Sequence, residues 1–317
     1  MKKLVSIVVP THNEEDNVPL ICARISRIFV RHLASYDYKI LFIDNKSEDN
    51  TRRVIEGIAA HDTHVQYIFN ISDFGFSRST FYGLTQSEGD CTVLLFADMQ
   101  DPPELIVDFV REWEAGNKVV IGIKNKSREG WFMYHVRKMY YWLMRRISEV
   151  KHIEQFTGFG LYDKSVIKIL RSLEDPLPYL RGIVAEFYSG CKRITYTQET
   201  RKHGKTNFNF LKLYNVAMLG VTSYSKVLMR ISTFVGGIIA AFSFFIAIIT
   251  LLLKILHVVD YPVGVAATLF GVFFLGGVQL VFIGILGEYI LGINARTIRR
   301  PIVIEEKRHG LNAMPAP

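Results

Sequence analysis

Cysteine is scarce in this 317-residue sequence, and the few cysteines form no recognisable pattern. Only Cys22, Cys91 and Cys191 are present, and they lie far apart along the chain. A disulfide-stabilised domain or a cysteine-rich metal site needs more cysteines at closer spacing. We therefore expect reduced thiols facing the cytoplasm and no zinc site.

The sequence also lacks a secretion signal and a phosphate-binding glycine-rich loop. The apolar run near the start, Leu4–Val9, ends at Pro10 and is shorter than the roughly 7 residues that a signal peptide needs. Gly204, Lys205 and Thr206 match the end of a P-loop, but position 199, where its first glycine would stand, is a glutamate. These absences predict no cleaved leader and no P-loop nucleotide hydrolysis.

Apolar residues are plentiful, and basic residues outnumber acidic ones. The chain is 49% apolar, and 38 Lys and Arg against 30 Asp and Glu give a net charge of +8. A chain this apolar can bury enough surface to offset its conformational entropy, which excludes intrinsic disorder. We attribute the positive charge to phosphate-bearing ligands and lipid, and expect no nucleic-acid partner.

Two long uncharged runs occupy the last third of the chain. They cover Ile231–Leu253 and Val263–Gly287, which are 23 and 25 residues long. At about 1.5 Å per residue, each is longer than the roughly 30 Å hydrocarbon core of a bilayer. Buried helices of a soluble core are the alternative, but such helices are shorter and keep a polar stripe. We predict a hairpin of two transmembrane helices at 229–256 and 262–290.

The charges that flank these runs predict the orientation of the hairpin. Basic residues precede the first run and follow the second, namely Lys226, Arg230, Arg296, Arg299 and Arg300. Because basic residues favour the cytoplasmic side, we expect both termini, including a tail at 291–317, to be cytoplasmic. Glycine pairs at 236–237 and 276–277 allow close helix packing, either within the hairpin or against copies in an oligomer, and we expect a homo-oligomer such as a tetramer.

Residues 1–207 have the pattern of one α/β domain, followed by an interfacial helix at 208–228. Apolar runs with strand character occur at Leu4–Val9, Tyr38–Ile43, Val65–Phe69, Cys91–Phe96 and Val119–Ile123. Helix-period segments separate the first three runs, with apolar positions such as Val18, Ile21 and Ile25 in the first. This alternation predicts a mainly parallel sheet with helices on both faces, which binds ligands at the carboxyl ends of its strands.

Candidate site residues follow three of these predicted strands. They are Pro10, Asn13 and Glu14 after the first, Asp44 to Thr51 after the second, and Asp98, Gln100 and Asp101 after the fourth. Several carboxylates at one edge of a basic protein suggest a divalent cation that neutralises a diphosphate, so Mg²⁺ or Mn²⁺ is expected. The alternatives are that Asp44 or Asp49 caps the helix near Asn50 and that Asp101 marks a helix start.

The sequence resembles the family 2 glycosyltransferases of GT-A fold, a Rossmann-like fold, that transfer sugars to polyprenyl phosphates. The resemblance is carried by VSIVVPTHNEE, FIDNKSEDNT, FADMQDPPE, TGFGLYDKSVI, RKHGKTNF and FLGGVQLVFIGILGEYI. It implies an inverting enzyme of the bacterial inner membrane that moves a sugar from a nucleoside diphosphate sugar, such as a UDP-sugar, to undecaprenyl phosphate. The product would serve modification of cell-envelope glycans such as lipopolysaccharide.

The resemblance also implies roles for individual residues. Nucleotide contacts are implied for Pro10, Asn13, Glu14, Asp44, Asp98, Arg201 and Lys205. Asp98 and Gln100 match the metal ligands of the family, and Asp98 and Arg201 match its catalytic residues. The planar guanidinium of an arginine can donate two hydrogen bonds to the donor diphosphate. A basic loop that binds anionic lipid is the alternative for Arg201 and Lys205.

Several positions depart from the family pattern. Phe96 stands where many members carry an aspartate of the metal site, and Asn45 and Lys46 replace an aspartate and a glycine. Gly158 replaces the proposed general base, and Gly160 a nearby arginine. A phosphate acceptor is largely ionised at neutral pH and needs no base, so transfer is still expected. Glu154 and Asp163 are substitutes for the base, although surface or helix-start roles suit them better.

An aromatic and basic segment at 131–147 predicts a helix at the lipid interface. Its cations Arg137, Lys138 and Arg145 would meet lipid phosphates, including that of the acceptor, and packing into a protein core is the alternative.

Two other functions remain open from the sequence. A processive polysaccharide synthase would share Gln198 and Arg201 but would have tryptophan at position 202, where this chain has lysine. It would also need more transmembrane helices. A catalytically silent membrane scaffold, or a partner of a lipid-sugar flippase, is suggested by the substitutions at the metal and base positions.

Overall fold

The computed structural model describes residues 2–125, 153–173, 175–188, 190–199, 264–298 and 300–311, with short stretches between 234 and 256. Several predictions fall outside these residues. They concern the roles of Arg137, Lys138, Arg145, Arg201 and Lys205, the interfacial helix at 208–228 and most of the first predicted span. The chain divides into two compact units, one built around a β-sheet and one that contains a long apolar helix.

An eight-stranded sheet forms the first unit, in the order β7-β5-β6-β4-β1-β2-β3-β8. The strands are β1 (Leu4–Thr11), β2 (Asp37–Asp44), β3 (Val65–Asn70), β4 (Cys91–Leu94), β5 (Val119–Lys124), β6 (Phe156–Asp163), β7 (Lys192–Tyr196) and β8 (Glu305–His309). Only β6 and β8 among these described strands run against the rest. The predicted mainly parallel sheet is confirmed.

Helices cover both faces of the sheet, as predicted. They are α1 (Asn17–His32), α2 (Thr51–Ala59), α3 (Phe76–Gln86), α4 (Leu105–Glu114), α5 (Lys164–Ser172) and α6 (Leu180–Phe187). One hydrophobic cluster joins the sheet to α1, α2 and α4, and a second joins its other face to α3, α5 and α6. Because both faces are covered, the central strands are mainly apolar, and Val5, Ile7, Val8 and Val9 of β1 are fully buried.

Three strands were not predicted from the sequence. β6 contains two glycines, and β7 and β8 are largely polar, so none of them has the continuous apolar run of a buried strand. β8 lies in the predicted tail and pairs antiparallel with β3 at the edge of the sheet, with His309 opposite Tyr67. Charged side chains are common on edge strands because they discourage pairing with other molecules.

The second unit contains α7 (Gly264–Thr297), a helix of 34 residues. Within the described residues it provides one segment, Phe274–Asn294, that is long and apolar enough to cross a membrane. This segment overlaps the second predicted span, 262–290, and α7 continues to Thr297, beyond the predicted end of that span. The two-span topology and its orientation stay predictions, because most of the first span lies outside the described part of the chain.

Candidate functional site

Unusual backbone conformations mark one edge of the sheet. Within the described residues, positive φ angles at non-glycine residues occur only at Asn13, Lys46, Met99 and Gln155, with values of 58° to 63°. The first three follow the parallel strands β1, β2 and β4, and the fourth precedes the antiparallel β6. All four therefore lie at the edge where these parallel strands end. Such conformations are costly and concentrate at functional sites, so this edge is the candidate site.

The loops after β1 and β2 are bonded tightly to each other. The backbone N–H of Asn13 donates to Ser47 Oγ at 2.9 Å, and Asn13 Oδ1 accepts from the N–H of Glu48 at 2.8 Å. The N–H of Glu14 donates to Thr51 Oγ1 at 2.8 Å. The two predicted nucleotide residues thus hold the loops together, and Pro10 lies half-buried at the end of β1 beside them. Direct contacts of all three with a nucleotide stay predictions.

Asp44, the last residue of β2, is fully buried and bonded within the protein. Its Oδ1 accepts from Arg52 Nε at 2.5 Å and from the N–H of Ser47 at 3.1 Å, and its Oδ2 accepts from the hydroxyl of Ser47. Asp44 therefore shapes the β2–α2 loop. Asp49, not Asp44, receives the first N–H of α2, from Thr51 at 3.0 Å, so the helix-cap alternative applies to Asp49 alone.

Asn45, one of the departures from the family pattern, has a structural role. Its side chain is buried, donates to Asp73 Oδ1, and accepts from the N–H of Phe74 at 3.0 Å and from Asn70 Nδ2 at 3.2 Å. It therefore ties the β2–α2 loop to the β3–α3 loop. An aspartate could not donate to Asp73, so Asn45 and Asp73 form a matched pair.

Asp98 and Gln100 share one tight turn after β4. Asp98 Oδ1 accepts from the N–H of Gln100 at 3.2 Å, and both side chains are half-buried. Gln198, beyond β7, donates from Nε2 to Gln100 Oε1 at 2.9 Å. The N–H of Glu199 also donates to the carbonyl of Gln100 at 2.9 Å, and its carboxylate lies 3.5 Å from Arg24. The segment that leads to Arg201 in the sequence is thus bonded to the turn.

The side-chain oxygens on this turn are suited to bind a divalent cation that a bound diphosphate also contacts. Asp98 Oδ2 has no hydrogen-bond partner among the described residues, and Gln100 Oε1 keeps one lone pair. Carboxylate and amide oxygens suit Mg²⁺ and Mn²⁺. No group of three or more His, Cys, Asp or Glu that could hold a metal occurs within the described ranges. Among the described residues, Asp98 and Gln100 are the candidate protein ligands, and a bound diphosphate and water could complete the coordination shell.

Asp101 has a partner of its own. It is buried and accepts a hydrogen bond from the hydroxyl of Tyr196 on β7. Burial raises the pKa of Asp101 to about 6. Helix α4 begins at Leu105, shortly after Asp101, and its N-cap is Glu104, so Asp101 precedes the helix without capping it. Its carboxylate joins the turn to β7.

The two glycines of β6 are closely packed, and Gly158 lies near Phe96. Gly158 has φ of +112°, and a Cβ there would lie 3.3 Å from Leu94 and 3.8 Å from Phe96. A Cβ on Gly160 would lie 2.5 Å from the carbonyl oxygen of Val120. The aspartate and arginine of the family pattern therefore cannot stand at these positions without a shift of the backbone or its neighbours.

The two substitutes for the general base lie at different places. Asp163 caps α5 through the N–H of Ser165 at 2.8 Å and accepts from Trp113 Nε1 at 2.8 Å. It pairs with Cys91 at the start of β4, the end of the strand opposite Asp98. Asp163 is therefore a structural residue. Glu154 precedes β6 on the side of the candidate site and is exposed.

Replacing Gly160 by alanine is expected to destabilise the sheet domain by about 1 to 3 kcal/mol, because the added methyl group would overlap the β5 backbone. Chemical denaturation followed by circular dichroism measures the change. The control is Gly57→Ala on α2, where nothing lies within 4 Å of the added carbon and alanine favours the helix. Equal stability of the two variants would contradict the described β5–β6 packing.

Comparison with known proteins identifies the family and the fold. A model of the family described as Glycosyl transferase family 2 matches residues 6–170. The SfII prophage-derived bactoprenol glucosyl transferase of Shigella flexneri is 31% identical over 309 residues, 96% of this chain and 98% of that protein. The prophage bactoprenol glucosyl transferase homolog of Escherichia coli (strain K12) is 31% identical over 301 residues, 94% of this chain and 96% of that protein.

A solved structure shows the same fold at low sequence identity. Glucosyl-3-phosphoglycerate synthase from Mycobacterium tuberculosis, in complex with Mn²⁺, UDP and phosphoglyceric acid, has a TM-score of 0.50 and 17% identity. The match covers 69% of this chain and 76% of that one. With the family match over the sheet domain and relatives that are similar along nearly the whole length, the chain belongs to glycosyl transferase family 2 and has the GT-A fold.

Proposed function

We propose that the protein transfers a sugar, with inversion at the anomeric carbon, from a UDP-sugar to undecaprenyl phosphate. The observation that carries the proposal is the turn of Asp98 and Gln100, whose oxygens point to cation-assisted departure of a diphosphate at the ligand-binding edge of the sheet. The similarity to bactoprenol glucosyl transferases supports the lipid acceptor.

The proposed reaction is a single displacement. An oxygen of the lipid phosphate bonds to the anomeric carbon while the bond from that carbon to the UDP oxygen breaks, and UDP leaves with the electron pair. The acceptor phosphate is largely ionised near pH 7, since its second pKa is about 6. No proton has to be removed during the attack, which is consistent with glycine at positions 158 and 160.

The residues of the turn would act by holding and orienting groups. A bound Mg²⁺ or Mn²⁺ supplies positive charge to the leaving diphosphate. Asp98 and Gln100 would hold that cation, and Gln198 would fix the orientation of the Gln100 amide by its hydrogen bond. Arg201 would add a second positive group to the diphosphate. Pro10, Asn13, Glu14, Asp44 and Lys205 are proposed for the nucleotide end.

The membrane location is part of the proposal. The apolar segment Phe274–Asn294 of α7 would anchor the enzyme in the bacterial inner membrane, where its lipid acceptor resides. We propose that the first predicted span completes a hairpin with both termini in the cytoplasm, and that Arg137, Lys138 and Arg145 meet lipid phosphates. The proposed assembly is a homo-oligomer.

The experiment uses full-length protein purified in detergent with undecaprenyl phosphate, Mn²⁺ and a panel of UDP- and GDP-sugars. We expect one or a few UDP-sugars to release UDP and form a new lipid-linked sugar, and we expect chelation by EDTA to stop the reaction. Released nucleoside diphosphate and the lipid product, identified by mass spectrometry, are the readouts. Absence of turnover with every donor would favour the silent scaffold instead.

A further inference from the structure

The C-terminal strand β8 reaches the nucleotide end of the candidate site. Its neighbour Ile304 accepts at its carbonyl a hydrogen bond of 3.0 Å from the N–H of Ile71, just beyond β3, and Val303 is buried. Strand pairing continues from Asn70 opposite Glu305 to Tyr67 opposite His309. The chain therefore returns to the sheet after α7 and extends it beside β3.

Glu306 of this strand contacts the arginine that binds Asp44. Each nitrogen of the Arg52 guanidinium has a different partner. Nε donates to Asp44 Oδ1 at 2.5 Å, Nη1 to Glu306 Oε2 at 2.7 Å, and Nη2 to the carbonyl of Asn70 at 2.6 Å. Glu306 Oε2 also lies 3.6 Å from Lys46 Nζ, in the β2–α2 loop itself. The guanidinium of Arg52 therefore contacts β2, β3 and β8, and Glu306 of β8 also lies close to the β2–α2 loop.

The charges favour this arrangement. Burial lowers the pKa of Arg52, but the hydrogen bonds to Asp44 and Glu306 outweigh burial and raise this pKa above its usual value. The hydrogen bond from Arg52 lowers the pKa of Glu306, so both partners stay charged at neutral pH. A guanidinium is rigid and planar, so fixing its third nitrogen fixes the direction of the other two. Glu306 can therefore influence a carboxylate that it does not touch.

We propose that Glu306 is a positioning residue for donor binding, which acts through Arg52 on Asp44 and the β2–α2 loop. The inference rests on the proposed function, in which Asp44 and its loop form the nucleotide end of the site. The C-terminal strand then contributes to the affinity for the nucleotide, although it supplies no group that contacts the substrate.

The test compares two variants that each remove one charge from neighbouring residues on β8. Glu306→Gln removes the charge that faces Arg52. Lys307→Gln removes a comparable ion pair at the next residue, in which Lys307 Nζ lies 2.6 Å from Glu56 Oε1 on α2. Both variants loosen one link between strand and helix, but only the first touches the Arg52 network. The Lys307 variant therefore controls for general loosening of the strand.

For Glu306→Gln we expect the KM for the donor sugar nucleotide and the Kd for UDP to rise about 3- to 5-fold with little change in kcat, the size expected for one partly exposed ion pair. Amide hydrogen exchange should become faster in residues 45–51. Lys307→Gln should leave the two constants and the exchange of this loop unchanged. Glu306→Asp should recover part of the affinity if the shorter carboxylate still reaches Arg52.

The possible outcomes separate this inference from the proposed function. If the unaltered protein transfers no sugar, the proposed function fails, and the exchange of residues 45–51 still decides whether Glu306 controls the loop. If transfer occurs but both variants behave alike, or if Glu306→Gln matches the unaltered protein, the inference is overturned. A selective effect of Glu306→Gln on donor affinity and on loop exchange supports it.

Discussion

Replacing Asp98 by asparagine is expected to lower kcat/KM for sugar transfer at least about 100-fold, which corresponds to about 2.7 kcal/mol. Asp98 provides the only carboxylate of the Asp98–Gln100 pair. The nearby carboxylate of Asp101 already accepts a hydrogen bond from the hydroxyl of Tyr196. An amide oxygen still accepts the N–H of Gln100, so the turn should persist, but it carries no charge for a cation. The loss should therefore be catalytic and not structural.

Transfer assays across a range of Mn²⁺ concentrations measure this effect. The control is Asp108→Asn on α4, an exposed carboxylate that lies 3.8 Å from Arg111 and has no link to the turn. We expect this control to retain activity, and both variants to unfold at the same temperature as the unaltered protein. Full activity of the Asp98 variant at low Mn²⁺ would exclude Asp98 as a metal ligand.

Replacing Arg52 by methionine is expected to destabilise the sheet domain by about 3 kcal/mol. The change leaves the fully buried Asp44 carboxylate without its cation, and uncompensated buried charges typically cost about 3 to 5 kcal/mol. We take the lower value because the Arg52 side chain is 18% exposed. The apparent unfolding temperature should fall by roughly 6 to 12 °C, and UDP binding should weaken with it.

Differential scanning fluorimetry and calorimetric UDP titration measure these two effects. Arg53→Met on the same helix is the matched control, because Arg53 is exposed and forms no described ion pair. It should change the unfolding temperature by no more than about 1 °C. Equal effects of the two replacements would show that the Arg52–Asp44 pair does not stabilise the loop.

The part of the fold that could be predicted from the sequence is the part with strong apolar patterning. The predicted strands at Leu4–Val9, Tyr38–Ile43 and Val65–Phe69 match β1, β2 and β3 within one or two residues. These strands are buried on both faces, so their runs are apolar except for one residue in each. β8 has the sequence EEKRH and lies at an edge, where neither burial nor alternation leaves a signal.

The candidate site was predictable where a short motif carries it. Asp98 and Gln100 lie in one turn, and the family resemblance, carried by the segment FADMQDPPE, implies that they are oxygen ligands of a metal. Arg52 and Glu306 are 254 positions apart, so no local pattern indicates that they meet. They meet because β8, which follows α7 in the chain, pairs with the edge strand β3.

The role of Asp44 shows a second limit of sequence reasoning. An acidic residue after a strand indicates a ligand contact or a helix cap, and the sequence gives no sign that both oxygens of Asp44 also accept hydrogen bonds that shape the β2–α2 loop. Gly160 is similar, since its close approach to β5 depends on a strand pairing that the sequence did not indicate. Such roles follow from packing and not from residue type.

The central claim is that the acceptor is a phosphate, whose own charge replaces a general base. The most direct measurement offers the purified enzyme undecaprenyl phosphate or undecaprenol, with the preferred UDP-sugar and Mn²⁺, and follows the lipid product across pH 6 to 8. We predict transfer to the phosphate only, with a rate that rises as the acceptor ionises near its second pKa of about 6. Transfer to the alcohol at a comparable rate would contradict the account.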